Sequence, residues 1–132
     1  MQFAPYISFF AVMAALTLAA CQNTAPVTQE PVRYYGVQTR LLDNDLVQFH
    51  VTLSGTKSSE QVARYAECAA AQYNLIRGFG FAGNVHTRIG QQADRLSVDA
   101  VYKISRSLPQ GTKTIDAEVV ADACARDNIP MV

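Results

Sequence analysis

The sequence predicts one small α+β domain over residues 33–132, a four-stranded antiparallel sheet with two helices on one face, in the order ββαββα. Three observations predict it. Residues 46–54 and 96–105 alternate apolar and polar side chains with period two, as half-buried strands do. Each follows another strand-like run across a polar turn, which makes two hairpins. Between and after the hairpins lie two segments with helical spacing and helix-end chemistry.

The first strand runs over 33–42 and the second over 46–54. In the second, Val47, Phe49, Val51 and Leu53 alternate with Gln48, His50 and Thr52. Asp43-Asn44-Asp45 joins the two, because Asn and Asp side chains bond their own backbone in turns. Tyr34 and Tyr35 suit either the core or a binding surface.

The first helix follows in SSEQVARYAECAAAQYNLIRG. Ser58 with Gln61 three residues on fits a capping box. Val62, Ala66, Ala69, Ala70, Tyr73 and Ile76 fall on one face, and Glu60 is placed to pair with Arg64 at i,i+4. Arg77 complements the dipole in the last turn, and Gly78 stops the helix in the left-handed conformation.

The second hairpin pairs 81–89 with 96–105 across a polar turn at 90–95. Leu96, Val98, Ala100, Tyr102 and Ile104 form its apolar register. Residues 114–127 carry both periods. Ile115, Ala117 and Val119 alternate as in a strand, whereas Ile115, Val119, Ala123 and Cys124 suit a helix. Asn128, Ile129 and Pro130 are helix-end chemistry and favour the helix, with Thr114 as its cap.

The charges separate a second region. Eleven basic and 11 acidic residues balance, yet none precedes Glu30. No basic patch is concentrated enough to predict a nucleic-acid partner. Residues 3–20 are almost wholly apolar, broken by Pro5, Ser8 and Thr17, and end in small residues, the plan of an export signal. At 18 residues with a proline near its start, the run falls short of the roughly 20 that span a bilayer. Met1-Gln2 carries no Lys or Arg, so the amino terminus is its one positive charge.

The end of that run, Leu18-Ala19-Ala20-Cys21, resembles the bacterial lipobox. The resemblance implies cleavage between Ala20 and Cys21, a diacylglyceryl thioether on the Cys21 thiol and acylation of the new amine. One acyl chain anchors a protein marginally, whereas two or three hold it. The implied organisation is a signal peptide at 1–20, a lipidated Cys21 with a flexible tether at 21–32, and an envelope domain at 33–132. Pro26 and Pro31 in a stretch without hydrophobic period mark the tether. Gln22 in place of Asp favours the outer membrane by the enterobacterial sorting rule. The folded part is also similar to small uncharacterised envelope lipoproteins of alphaproteobacteria, through RYAECAAAQYNLIRGFGF, DAVYKIS and IDAEVVADACARDNIP. That resemblance implies a location but no mechanism; the expected partners are the membrane, through the anchor at Cys21, and an envelope protein.

With Cys21 lipidated, Cys68 and Cys124 remain. Two cysteines in an exported chain predict a disulfide, the alternative being two buried thiols in an Ala-rich core. Gly78-Phe79-Gly80-Phe81-Ala82-Gly83 matches the dinucleotide pattern in letters only, because the helix precedes it and a strand follows. No cofactor is expected. His50 and His86 are the only histidines and sit on polar strand registers, where Asp99 is a possible neighbour. Without ligand-spacing motifs they read first as surface histidines and secondarily as a metal or acid–base pair. No nucleophile motif appears, and the expectation is a non-enzymatic binding or accessory module. The alternative is a small ligand- or metal-binding protein or enzyme using His50 and His86.

Overall fold

The structure, a computed structural model, describes residues 30–109 and 113–131. The signal segment, the lipobox with Cys21 and most of the tether lie outside the described residues. The elements are β1 (Arg33–Asp43), β2 (Leu46–Ser54), α1 (Ser59–Arg77), β3 (Phe81–Gln92), β4 (Arg95–Ser105), β5 (Thr114–Asp116) and α2 (Ala117–Arg126). The domain is α+β with two helices and a fully antiparallel sheet, ordered β1-β2-β4-β3-β5.

The expected strand count needs correction: the sheet has five strands rather than four, and it curls into a half-barrel. The fifth strand comes from the segment that carried both periods. Thr114–Asp116 pairs with Phe81–Gly83 before the chain turns into α2. Asp116, extended at φ −84° and ψ 117°, is therefore the N-cap, and its carboxylate accepts from the Glu118 and Val119 amides. Thr114 does not cap; Ile115 is held in the sheet opposite Ala82. The helix end is as expected: Asn128 is left-handed at φ 54°, and the Ile129 amide donates to the Cys124 carbonyl at 3.0 Å. The curl has a local cause. Register shifts interrupt β1 between Tyr34 and Val37 and β3 between Asn84 and His86, and such bulges bend the strand that carries them.

The second hairpin turns later than its composition suggests. β3 runs to Gln92 and the turn is Ala93-Asp94, with Ala93 at φ 54°. Gly90, Gln91 and Gln92 stay paired to Ser97, Leu96 and Arg95, because polar side chains are compatible with a strand whose faces meet water.

The core lies between the inner sheet face and α1. Val47, Phe49, Val51 and Leu53 of β2 and Leu96, Val98, Ala100, Tyr102 and Ile104 of β4 are buried, as the alternation predicts. From α1 come Val62, Tyr65, Ala66, Cys68, Ala69, Ala70 and Ala71. The alanines let the helix approach closely, so Tyr73 meets Phe49 edge-on and Tyr65 meets Tyr34. Ile76 is the misplaced member of the predicted face, being 70% exposed. Ser58 accepts from the Gln61 amide at 3.2 Å, but its own amide bonds Thr56 Oγ1, so the reciprocal half of the box is taken elsewhere. Gly78, at φ 76°, closes α1 with the Phe79 amide on the Asn74 carbonyl. Arg64 bonds Asp127 beyond α2 at 3.2 Å rather than Glu60.

α2 packs along α1, and there Cys68 and Cys124 form the disulfide, both fully buried. Tyr34 is a core residue. Tyr35 lies on the outer face, where its hydroxyl pairs with Ser54 and Arg95 stacks over its ring.

Candidate functional site on the outer sheet face

The same alternation that buries one register of β2 and β4 turns the other outward. Antiparallel pairing then aligns those outward residues into rows across the sheet. Gln38, His50, Asp99 and Arg88 stand opposite one another on β1, β2, β4 and β3. The next row holds Arg40, Gln48, Val101 and His86.

Asp99 organises the first row. The His50 Nδ1 lies 2.7 Å from Asp99 Oδ1, and the Gln48 amide reaches the same oxygen at 3.4 Å. Arg88 approaches Oδ2 at 3.6 Å from the other side. An ionised carboxylate only accepts, so Nδ1–H of His50 donates and Nε2 is left for another partner. The His50 hydrogen bond holds the Asp99 carboxyl below its ordinary value of 3.8; partial burial opposes this and the Arg88 charge adds to it. Aspartate is depleted in strands, and here a mid-strand aspartate is matched by donors from both neighbouring strands.

Gln38, Thr39, Arg40, Gln48, His50 and Asp99 line an open depression of about 490 Å³. Its surface offers two amides, an imidazole and a guanidinium. Arg40 makes no ion pair among the described residues. Such a surface can hold a polar or anionic group by hydrogen bonds. A larger depression of about 580 Å³, at the end bearing Gly55, Thr56 and the β3–β4 turn, contains no histidine.

The two histidines are not brought together. His86 faces Val101, so β4 separates it from β2, and it is offset along the strand from His50. Strand spacing and rise put their Cα atoms about 12 Å apart. Among the described residues no group of three or more His, Cys, Asp and Glu side chains is placed to hold a metal ion.

Gln48, Gln38 and Arg88 are site residues that composition does not single out. The signal for Arg88 was available in the turn. Placing the two-residue turn at Ala93-Asp94 counts Arg88 opposite Asp99, whereas a turn over 90–95 leaves that register undefined. Gln48 is found only by noting that it flanks His50 on the same outward register.

None of the helices among the described residues is long and apolar enough to cross a membrane. No curated protein and no solved structure matches the chain. A family model, the YNQ4 C-terminal domain, matches residues 34–128, which takes in every element from β1 to α2. The chain belongs to the YNQ4 C-terminal domain family.

Proposed function

We propose that this protein is a lipid-anchored module of the bacterial cell envelope, with its domain in the periplasm, that binds a partner rather than turning over a substrate. The observation that carries the reading is the fate of the three cysteines. Cys68 and Cys124 bond to each other, so the cysteine outside that pair is Cys21 in Leu18-Ala19-Ala20-Cys21. A disulfide suits an exported protein, because cytosolic thiols are kept reduced. Gln22 after the anchor favours the outer membrane.

The tether sets how the domain meets its surroundings. In this reading the anchor holds the domain near the bilayer and leaves its outer sheet face available to a partner. The depression around His50 and Asp99 is the contact surface this reading assigns. A second reading, a small-ligand binder, draws on the same depression and on Arg40 within it.

Mass spectrometry of protein extracted from membranes tests the anchor. The expected species begins at Cys21 and carries a diacylglyceryl group, and Cys21→Ser abolishes palmitate incorporation. An intact Met1 terminus, or label that persists in Cys21→Ser, refutes lipidation.

A further inference from the structure

We infer that β1 is the seam of a homodimer, pairing antiparallel with β1 of a second copy about a two-fold axis through Thr39. β1 stands at one end of the sheet order, so among the described residues one side of its backbone has no strand beside it. A free edge of this kind is a template for another strand.

The structure limits where pairing is regular. Register shifts lie between Tyr34 and Val37 and between Leu41 and Asp43. The unbroken run is therefore Val37-Gln38-Thr39-Arg40-Leu41. By register Val37, Thr39 and Leu41 share the face of their inward β2 partners, although Thr39 and Leu41 are exposed at this edge, and Gln38 and Arg40 share the outer face.

Three two-fold registers compete, and physical chemistry chooses among them. An axis through Arg40 sets that guanidinium directly opposite its own copy, which is destabilising. An axis through Gln38 pairs Arg40 with Gly36, inside the bulge at φ 98°. An axis through Thr39 pairs Val37 with Leu41 twice, Gln38 with Arg40 twice, and Thr39 with itself. Apolar meets apolar, an amide acceptor meets a guanidinium, and Thr–Thr is a favourable cross-strand pair.

Exposed apolar surface surrounds the same axis. Leu41 is 53% exposed and Leu42 is 46% exposed. Ile76, eleven residues or three turns after Tyr65, lies on the side of α1 from which the Tyr65 hydroxyl accepts the Gly36 amide. The tyrosine is covered by β1, and the isoleucine beyond it is not. A second copy would cover Leu41 and bring apolar surface toward Ile76. At the opposite end, β5 has three residues, and the stretch of β3 beyond it carries Gly90 and the paired Arg88, which suit strand addition less well.

The inference stands whether or not Cys21 is lipidated, and its test reads association directly. Full-length protein in mild detergent is examined by sedimentation equilibrium, beside Thr39→Cys, Gln38→Cys and Arg40→Cys oxidised under mild conditions. A self-paired residue in an antiparallel ladder has Cα atoms about 4.5–5.5 Å apart, within disulfide reach. The expected result is a dimer, with Thr39→Cys cross-linking to its own copy far faster than the other two. Leu41→Lys, with the Cys68–Cys124 bond intact as the check on folding, should raise the dissociation constant about a hundredfold, because the pair loses apolar cover twice. A monomer at all concentrations overturns the dimer. Fastest cross-linking at Gln38 or Arg40 overturns the Thr39 axis. A Thr39→Cys adduct with a different protein in the envelope, without self-adduct, assigns the edge to another partner and overturns self-pairing.

Discussion

Removing the Cys68–Cys124 bond should cost this domain a large part of its stability. The two cysteines are 56 residues apart and join α1 to α2. In the chain-entropy model, closing a loop of that size removes denatured-state entropy worth about 4 kcal/mol at 25 °C. Typical domains have about 5–15 kcal/mol in all. The bond also sits where other support is modest. α2 is a ten-residue helix whose buried residues besides Cys124 are Ala117 and Ala121, with Ile129 packed behind and Arg64–Asp127 at the surface. Small side chains bury little apolar area, so covalent closure compensates. Cys68→Ala/Cys124→Ala, compared with wild type by urea unfolding at pH 7, should lose about 4 kcal/mol, or roughly 15 °C or more in Tm for a domain of this size. Hydrogen exchange should show α2 opening before β2 and β4. A loss under about 1 kcal/mol would refute the loop-closure reasoning, and two alkylatable thiols in protein isolated without reductant would remove its premise.

Gly55→Ala should destabilise by about 2 kcal/mol, since Gly55 has φ +84° and a Cβ there would lie 2.6 Å from the Pro31 carbonyl oxygen; Gly80→Ala, with open space around it, is the matched control, and equal unfolding midpoints for both would contradict the clash. Asp99→Asn should cost about 1 kcal/mol at pH 7 through the His50 bond. Because the folded pKa of Asp99 is depressed, its contribution is present above 3.8 and fades as pH falls through the lower folded value. The gap between variant and wild type should therefore narrow in acid, and a gap independent of pH from about 7 to 2 would show that the carboxylate charge is not involved. Burial pushes the Tyr102 hydroxyl up to about 12 from an ordinary 10.0, so the folded state holds its proton longer and stability falls as pH rises from 10 to 12. Two pH units correspond to about 2–3 kcal/mol, and Tyr102→Phe should unfold with that part of the alkaline slope missing.

Much of the fold was legible because it rests on local rules. Alternation in 46–54 and 96–105 named the buried residues of β2 and β4 almost without error, since strand side chains alternate by covalent geometry. Ser58, Gly78 and Asn128 marked helix ends because each suits a backbone state that most residues avoid. The disulfide followed from the cysteine count and the export context. The site was half legible: His50 and Asp99 stood out by residue type, whereas their contact depends on the register between β2 and β4.

The sequence by itself determined the four long strands, the two helices, both ends of α1, the C-terminal end of α2, the inner face of β2 and β4 and the expectation of an anchor at Cys21, because these depend on short-range geometry and on residue chemistry. Tertiary structure alone decided the rest. Segment 114–116 became a strand because β3 offered it an edge, although its own pattern served helix equally well. His50 met Asp99 and not His86 because strands that are not consecutive in sequence are neighbours in the sheet. Ile76 lies on the expected apolar face of α1 yet is 70% exposed, and the sheet curls at bulges in β1 and β3 that exist only once the strands pair.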